Sequence, residues 1–276
     1  MRVAAVQLNS TDEKSRNLAV AERLVREAAA DGAELVALPE KWNLLAGGEG
    51  LVAGAEPLDG PSLGAAREWA AALGIHLLAG SISERAGAKA FNTSVLIGPD
   101  GGDLAVYRKI HMFDVDVGGV AYRESEHEEP GSEIVVARAG ELPDVGLTVC
   151  YDLRFPELFR ILAVRGARLI AVPSAFTSTT GRDHWQVLLR ARAIENQVFV
   201  LAPNQSGEAP PHFDSFGHSS IVDPWGTVLA TAPPGEGFVA ADLDLSAQEE
   251  VRESLPSLAN RRPEAYAWPQ LAEMHA

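Results

Sequence analysis

The chain has one cysteine, Cys150, among 276 residues. A lone thiol cannot close an intrachain disulfide or form a CxxC pair, which points to a reducing compartment. None of the seven histidines stands in an HxH or HxxxH spacing, so no protein-held metal is expected. The glycines form no GxGxxG or Walker pattern behind a strand, and no nucleotide cofactor is expected either. No run of about 18 apolar residues exists to span a membrane. The first eight residues lack the long apolar stretch and cleavage site of a signal peptide. Basic residues are outnumbered, 23 Lys and Arg against 38 Asp and Glu, for a net charge of −15. No Lys/Arg cluster is left to offset phosphate charge, which argues against nucleic acid as a partner. These absences describe a soluble, cytoplasmic protein with neither cofactor nor membrane contact.

What is present is an ordinary globular composition, 46% apolar and 22% charged, enough for one large α/β domain. Strand-like runs at residues 3–8, 34–38, 75–82, 91–97 and 104–109 alternate with helical patterns at 14–30 and 62–73. Ser62 is placed to cap the second of these helices. Pro99-Asp100-Gly101-Gly102 makes a hairpin of the last two strands. Residues 110–132 read as a long irregular loop that folds over a site. Strands follow at 134–137, 145–150, 167–172, 198–203, 219–222, 228–231 and 237–243. Helices are expected at 156–165, with Pro156 in its first turn, and at 183–197, with Asp183 and Gln186 in capping-box spacing. Residues 32–40 and 166–174 echo one another, as do 91–101 and 216–226, in the same order. That echo suggests two similar β-rich halves, two sheets face to face with helices outside. Ser174 then corresponds to Glu40.

Three strand-like runs end in ionisable or reactive residues: Glu40 after Pro39, Lys109 after Arg108, and Cys150. Each has an ordinary explanation taken singly. A lone cysteine is most often a small buried hydrophobe, and a Glu or Lys at a turn is most often a solvated charge. Together they form a base, a cation and a nucleophile. A thiol needs a base or a positive neighbour to attack a carbonyl at neutral pH. Glu40 is suited to take the Cys150 proton, and Lys109 to favour the thiolate and the oxyanion. The Tyr151 backbone N–H supplies a second oxyanion donor. His111 in place of Glu40 is the alternative base.

Leu38-Pro39-Glu40, Tyr107-Arg108-Lys109-Ile110-His111 and the run Val149-Cys150-Tyr151-Asp152-Leu153-Arg154-Phe155-Pro156-Glu157 resemble the three signature blocks of the nitrilase superfamily, the carbon–nitrogen hydrolases. Pro173-Ser174-Ala175-Phe176, His184-Trp185 and Asp223-Pro224-Trp225-Gly226 extend the likeness over nearly the whole chain. The resemblance implies a four-layer α-β-β-α sandwich, formed as a single domain over residues 1–255, with a tail at 256–276 at an oligomer interface. It implies a triad of Glu40, Lys109 and Cys150, with Glu124 holding the lysine. It also implies a homodimer or higher homo-oligomer. The blocks look most like the amidases of deaminated glutathione and of α-keto acid ω-amides. That branch implies hydrolysis of a small linear amide through a cysteine thioester, releasing acid and ammonia or amine. Arg154 is the expected carboxylate contact, with Arg182 as a second, and Phe176 and Trp185 as apolar walls. Lys41 and Trp42 after the base depart from the pattern. An N-carbamoyl amidohydrolase is the alternative activity, and a non-catalytic binding protein of the same fold is the remaining one.

Overall fold

Residues 3–6 are wholly buried, so their strand must be covered on both faces. The computed structural model, which describes residues 1–138, 140, 142–209 and 213–266, shows how. Strand β1 (Arg2–Gln7) turns Val3 and Ala5 toward one core and Ala4 and Val6 toward another. β2 (Leu35–Ala37) and β3 (His76–Leu78) continue the sheet in parallel. β4 (Ile82–Ala86), β5 (Lys89–Ile97) and β6 (Asp103–Arg108) complete its edge antiparallel. Helices α1 (Lys14–Ala30), α2 (Gly48–Ala53) and α3 (Pro61–Leu73) lie between these strands in the chain. Leu24 and Val25 of α1 and Leu63 and Trp69 of α3 pack with Val6, Val36 and Leu77 to form the outer core.

Beyond β6 the chain makes a hairpin of β7 (Asp114–Val117) and β8 (Val120–Arg123), then a 3₁₀ turn, Glu124–Glu126, and a short strand, β9 (Glu128–Glu129), parallel to β5. The second sheet follows: β10 (Val136–Ala137), β11 (Val145–Leu147), β12 (Leu169–Ala171) and β13 (Phe199–Ala202). Between them stand α4 (Pro156–Val164) and α5 (Ser178–Asn196). A side hairpin, β14 (Ser206–Ala209) with β15 (Phe213–Phe216), precedes β16 (Ser220–Val222) and β17 (Val228–Thr231). β18 (Gly237–Asp242) returns to the first sheet beside β1, and α6 (Leu245–Ser254) follows.

The two sheets repeat one plan. Their orders are β18-β1-β2-β3-β5 and β10-β11-β12-β13-β16. In each, the central three strands are parallel and the flanking pairs antiparallel. Val3, Leu35, Leu78 and Leu96 of one sheet meet Leu147, Leu169, Ala171 and Leu201 of the other in a shared core. Phe159 and Leu162 of α4 and Leu189 of α5 join that core from outside. The result is the α-β-β-α sandwich. Each large apolar side chain enclosed contributes about 1.5–3 kcal/mol.

Several local expectations are corrected. The run at 75–82 is two strands, because Gly80 takes a left-handed backbone (φ +39°) between β3 and β4. Ser62 lies inside α3, not at its cap: Gly60 is the cap residue and Pro61 opens the helix. The Ser62 backbone N–H and hydroxyl instead donate to Glu56. Asp183 is interior to α5, which starts five residues earlier after Thr177. Residues 110–132 hold a hairpin and a strand, not an irregular loop. Cys150 does not end a strand: β11 stops at Leu147, and Cys150 begins a 3₁₀ turn with φ +48°. Of the tail at 256–276, residues 267–276 lie outside the described residues. Among described helices none is long and apolar enough to cross a membrane.

Gly80 matters because a Cβ there would stand 2.0 Å from the Pro39 carbonyl oxygen, one residue before Glu40. Left-handed backbone and contact together forbid a side chain. Gly80→Ala is expected to lower unfolding free energy by about 3 kcal/mol or more, measured by urea denaturation. Wild-type stability in that variant would show that the close approach of β3 to Pro39 is not a constraint.

Candidate active site

Glu40 sits in the turn after β2. That turn is held by the Leu38 N–H on the Leu78 carbonyl and by Trp42, fully buried, whose Nε1 donates to the Ala79 carbonyl. Lys109 follows β6 directly and its N–H bonds the Asn92 carbonyl of β5. Both come from the first sheet. Cys150 comes from the second, where its N–H donates to the Pro173 carbonyl. Asp152 locks the turn around it. Its Oδ2 accepts from the Val149 N–H and the Tyr107 hydroxyl, and its Oδ1 from the His111 N–H. The left-handed conformation of Cys150 is uncommon for a residue with a Cβ and is of the kind found at functional turns.

The three side chains meet. Glu40 Oε1 accepts from Lys109 Nζ at 3.1 Å and from Asn92 Nδ2 at 2.8 Å, while Oε2 accepts from the Ala175 N–H at 2.8 Å. The Cys150 side chain stands beside Glu40 and Lys109 on the same cavity wall. Lys109 Nζ lies 2.8 and 2.7 Å from the two oxygens of Glu124. Glu124 Oε2 also accepts from the Phe113 N–H at 2.7 Å. Lys109 and Glu40 are 1% and 3% exposed, so charge here is screened little by solvent.

Burial sets the protonation states. Desolvation pushes the Cys150 thiol well above its usual range, the negative Glu40 adds to that, and Lys109 offsets only part. A cation favouring the thiolate at rest is thus outweighed, and the resting sulfur keeps its proton. Burial alone would lower the Lys109 ammonium, but Glu124 and Glu40 outweigh it and raise it well above the ordinary lysine value. Burial likewise opposes ionisation of Glu124, yet Lys109 and Lys41 hold it well below the carboxylate range.

These groups line a cavity of about 580 Å³. Tyr151, Arg154 and Phe176 line it too. Arg154 stacks 5.1 Å from the Phe176 ring centroid and approaches His184 Nδ1 at 3.2 Å. Trp185 does not reach the cavity. It stands behind Phe176, centroids 5.1 Å apart, with Nε1 donating to the His218 carbonyl. Arg182 is exposed on α5 and is not a lining residue. His111 is turned away, its Nδ1 2.7 Å from Asp152 and its ring stacked on Phe155, so it is not placed as a base for Cys150. Sequence reasoning missed Asn92, the Ala175 N–H, the Phe113 N–H and the pairing of Lys41 with Glu128. The backbone donors carry no residue-type signal. The unusual Lys41 after Glu40 was the one available cue. Among the described residues, no group of three or more His, Cys, Asp and Glu side chains is arranged to hold a metal ion.

With this geometry in hand, comparison with known proteins is informative. A carbon–nitrogen hydrolase family model matches residues 2–253. The Danio rerio protein named Omega-amidase NIT2 is 41% identical over 269 residues, covering 96% of both chains. The crystal structure of the C. elegans NitFhit protein superposes with a TM-score of 0.89 at 35% identity, over 96% of this chain and 66% of that one. An amidase from Nesterenkonia sp. AN1, solved as a glutamate-to-glutamine mutant with acrylamide added to its active-site cysteine, superposes with a TM-score of 0.80 at 26% identity. The match covers 96% of this chain and 98% of that one.

The protonated resting thiol has a direct test. Glu40→Gln removes the negative charge that raises Cys150, so its titration midpoint is expected to fall by about one pH unit. Lys109→Met removes the offsetting charge and is expected to move the midpoint upward. Thiolate ultraviolet absorbance, taken against the matching Cys150→Ala protein, reads both. A rise in Glu40→Gln would contradict the electrostatic assignment.

Proposed function

The chain belongs to the carbon–nitrogen hydrolase family and is a hydrolase of carbon–nitrogen bonds in linear amides, and on that premise we propose that Glu40, Lys109 and Cys150 form its catalytic triad. The observation that carries this reading is the convergence of Cys150 with the hydrogen-bonded pair Lys109 and Glu40 on the wall of one cavity. Glu40 takes the proton from the Cys150 sulfur as the sulfur bonds the amide carbonyl carbon. The oxyanion is met by the Lys109 ammonium and the Tyr151 N–H, each such donor worth about 3 kcal/mol of barrier. Glu40 returns its proton to the nitrogen as the C–N bond breaks, leaving a thioester. Water, deprotonated by Glu40, attacks the thioester; the acid departs and the thiol is restored. Glu124 keeps the Lys109 ammonium aimed at the carbonyl oxygen.

For substrate we propose a small linear amide bearing a distant carboxylate, deaminated glutathione or the ω-amide of an α-keto acid. Relatives carrying the name ω-amidase support this branch. Arg154, on the cavity wall, is the group to pair with that carboxylate, while Phe176 covers the methylenes between. An N-carbamoyl substrate is the alternative, and it would add carbon dioxide to the products. We further propose a cytoplasmic homodimer or higher homo-oligomer in which residues 1–255 form the single domain.

Cys150→Ala is expected to abolish ammonia release while thermal unfolding stays near wild type. A panel of deaminated glutathione, α-ketoglutaramate and N-carbamoyl amino acids assigns the substrate. Arg154→Met is expected to raise KM for the keto-acid amides about tenfold or more with a smaller change in kcat. Ammonia release retained by Cys150→Ala would end the triad assignment, and an unchanged KM in Arg154→Met would remove Arg154 from the substrate site.

A further inference from the structure

Lys41 is the residue the triad leaves unexplained. It follows the proposed base directly, holds a left-handed backbone (φ +53°) where a lysine costs about 1–2 kcal/mol over glycine, and is 7% exposed. A buried, strained lysine needs a partner. Its Nζ lies 2.8 Å from Glu128 Oε1 and 3.4 Å from Glu124 Oε1. Glu128 arrives from β9 and is 1% exposed. Neither of its oxygens has an aligned hydrogen bond, so the Lys41 contact is one of charge.

Charge arithmetic gives the pair a purpose. Without it, the single ammonium of Lys109 faces two buried carboxylates, Glu40 and Glu124. Lys41 supplies the missing positive charge. Glu128 then makes a third carboxyl against two ammoniums, and both of its oxygens lack the donors a buried carboxylate needs. A proton on Glu128 solves this, since it makes the group neutral and lets it donate to Glu124, which it adjoins. We propose that Lys41 and Glu128 are positioning residues, an accessory pair that balances Glu124 and so holds Lys109 between its two carboxylates. This rests on the triad reading above.

The groups facing Glu128 are few. Lys41, Glu124 and Lys109 stand across from it, with Glu40 beyond Lys109. His127 and Glu129 flank it in the chain: the His127 ring packs on Gly48, and Glu129 lies 3.6 Å from Lys89. Burial and Glu124 push Glu128 up to about 7 in spite of Lys41, so it gains its charge before the thiol does.

The test reads the Cys150 titration midpoint by thiolate absorbance, which needs no substrate, and kcat on the amide panel. Lys41→Met removes a positive charge and is expected to shift the midpoint up by about half a unit; Glu128→Gln removes a negative one and is expected to shift it down by a similar amount. A pair with only a scaffolding role would loosen the site and move both variants the same way. Should Lys41→Met fail to fold, Lys41→Met/Glu128→Leu removes both charges, and its midpoint is expected to return to within about 0.3 units of wild type. In the panel, kcat of Lys41→Met is expected to fall about tenfold or more, with partial rescue in Lys41→Arg. In the single variants, shifts of the same sign or midpoints coincident with wild type would overturn the proposal; in the double variant, a displacement well beyond about 0.3 units would. If no amide in the panel is cleaved by wild type, the substrate reading fails while the midpoints still decide this one.

Discussion

One ammonium inside the protein, Lys109, is wedged between two carboxylates, and the site depends on that wedge. Removed from water, each of these charges alone would cost several kcal/mol. Arranged as Glu40–Lys109–Glu124, each offsets the other's desolvation, and the geometry is narrow because little of any of them is exposed. The Cys150 sulfur joins on the Glu40 side. There it meets a carboxylate already oriented by Asn92 and the Ala175 N–H. Three donors, Lys109, Asn92 and the Ala175 N–H, thus fix how Glu40 is presented to the thiol.

The sandwich makes this wedge possible. β2 and β11 are parallel-sheet strands of opposite sheets, and the turns that follow them carry Glu40 and Cys150. Functional residues beyond the carboxyl ends of such strands are a general outcome of α/β packing. Here two sheets share one core, so their strand ends face each other. Small inward residues such as Val3, Ala5 and Ala37 let the sheets approach. The Tyr107–Asp152 hydrogen bond, 2.6 Å long and buried, ties β6 of one sheet to the turn of Cys150 in the other. Lys109, two residues past Tyr107, is thereby fixed relative to the sulfur. The same Asp152 occupies His111, which keeps that histidine out of the cavity.

Some side chains were legible by type but not by address. Arg154 and Phe176 belong to motif runs and do reach the cavity. Trp185, of the His184-Trp185 run, and Arg182 just before that run do not, because α5 begins at Ser178 and its helical phase turns Trp185 inward and Arg182 to solvent. A shift in helix start of five residues is invisible to a pattern that finds a good capping box at Asp183. The Glu128–Lys41 contact joins residues 87 positions apart, through a short strand β9 paired with β5. No local rule reports a two-residue strand whose neighbour lies far back in the chain. The resting state of the thiol was also out of reach. A lysine and a glutamate near a cysteine push its proton in opposite directions, and only burial and contact geometry say which prevails.

The sequence alone determined the alternation of strands and helices, the two-half plan and which three residues to propose as the reactive groups, since period, turn chemistry and the residues themselves are local properties. Tertiary structure decided which of those groups touch, how many carboxylates one ammonium serves, and where the cavity wall lies. Distances between residues remote in the chain are set by packing of the two sheets, and electrostatic energy in a buried site depends on those distances far more than on residue type.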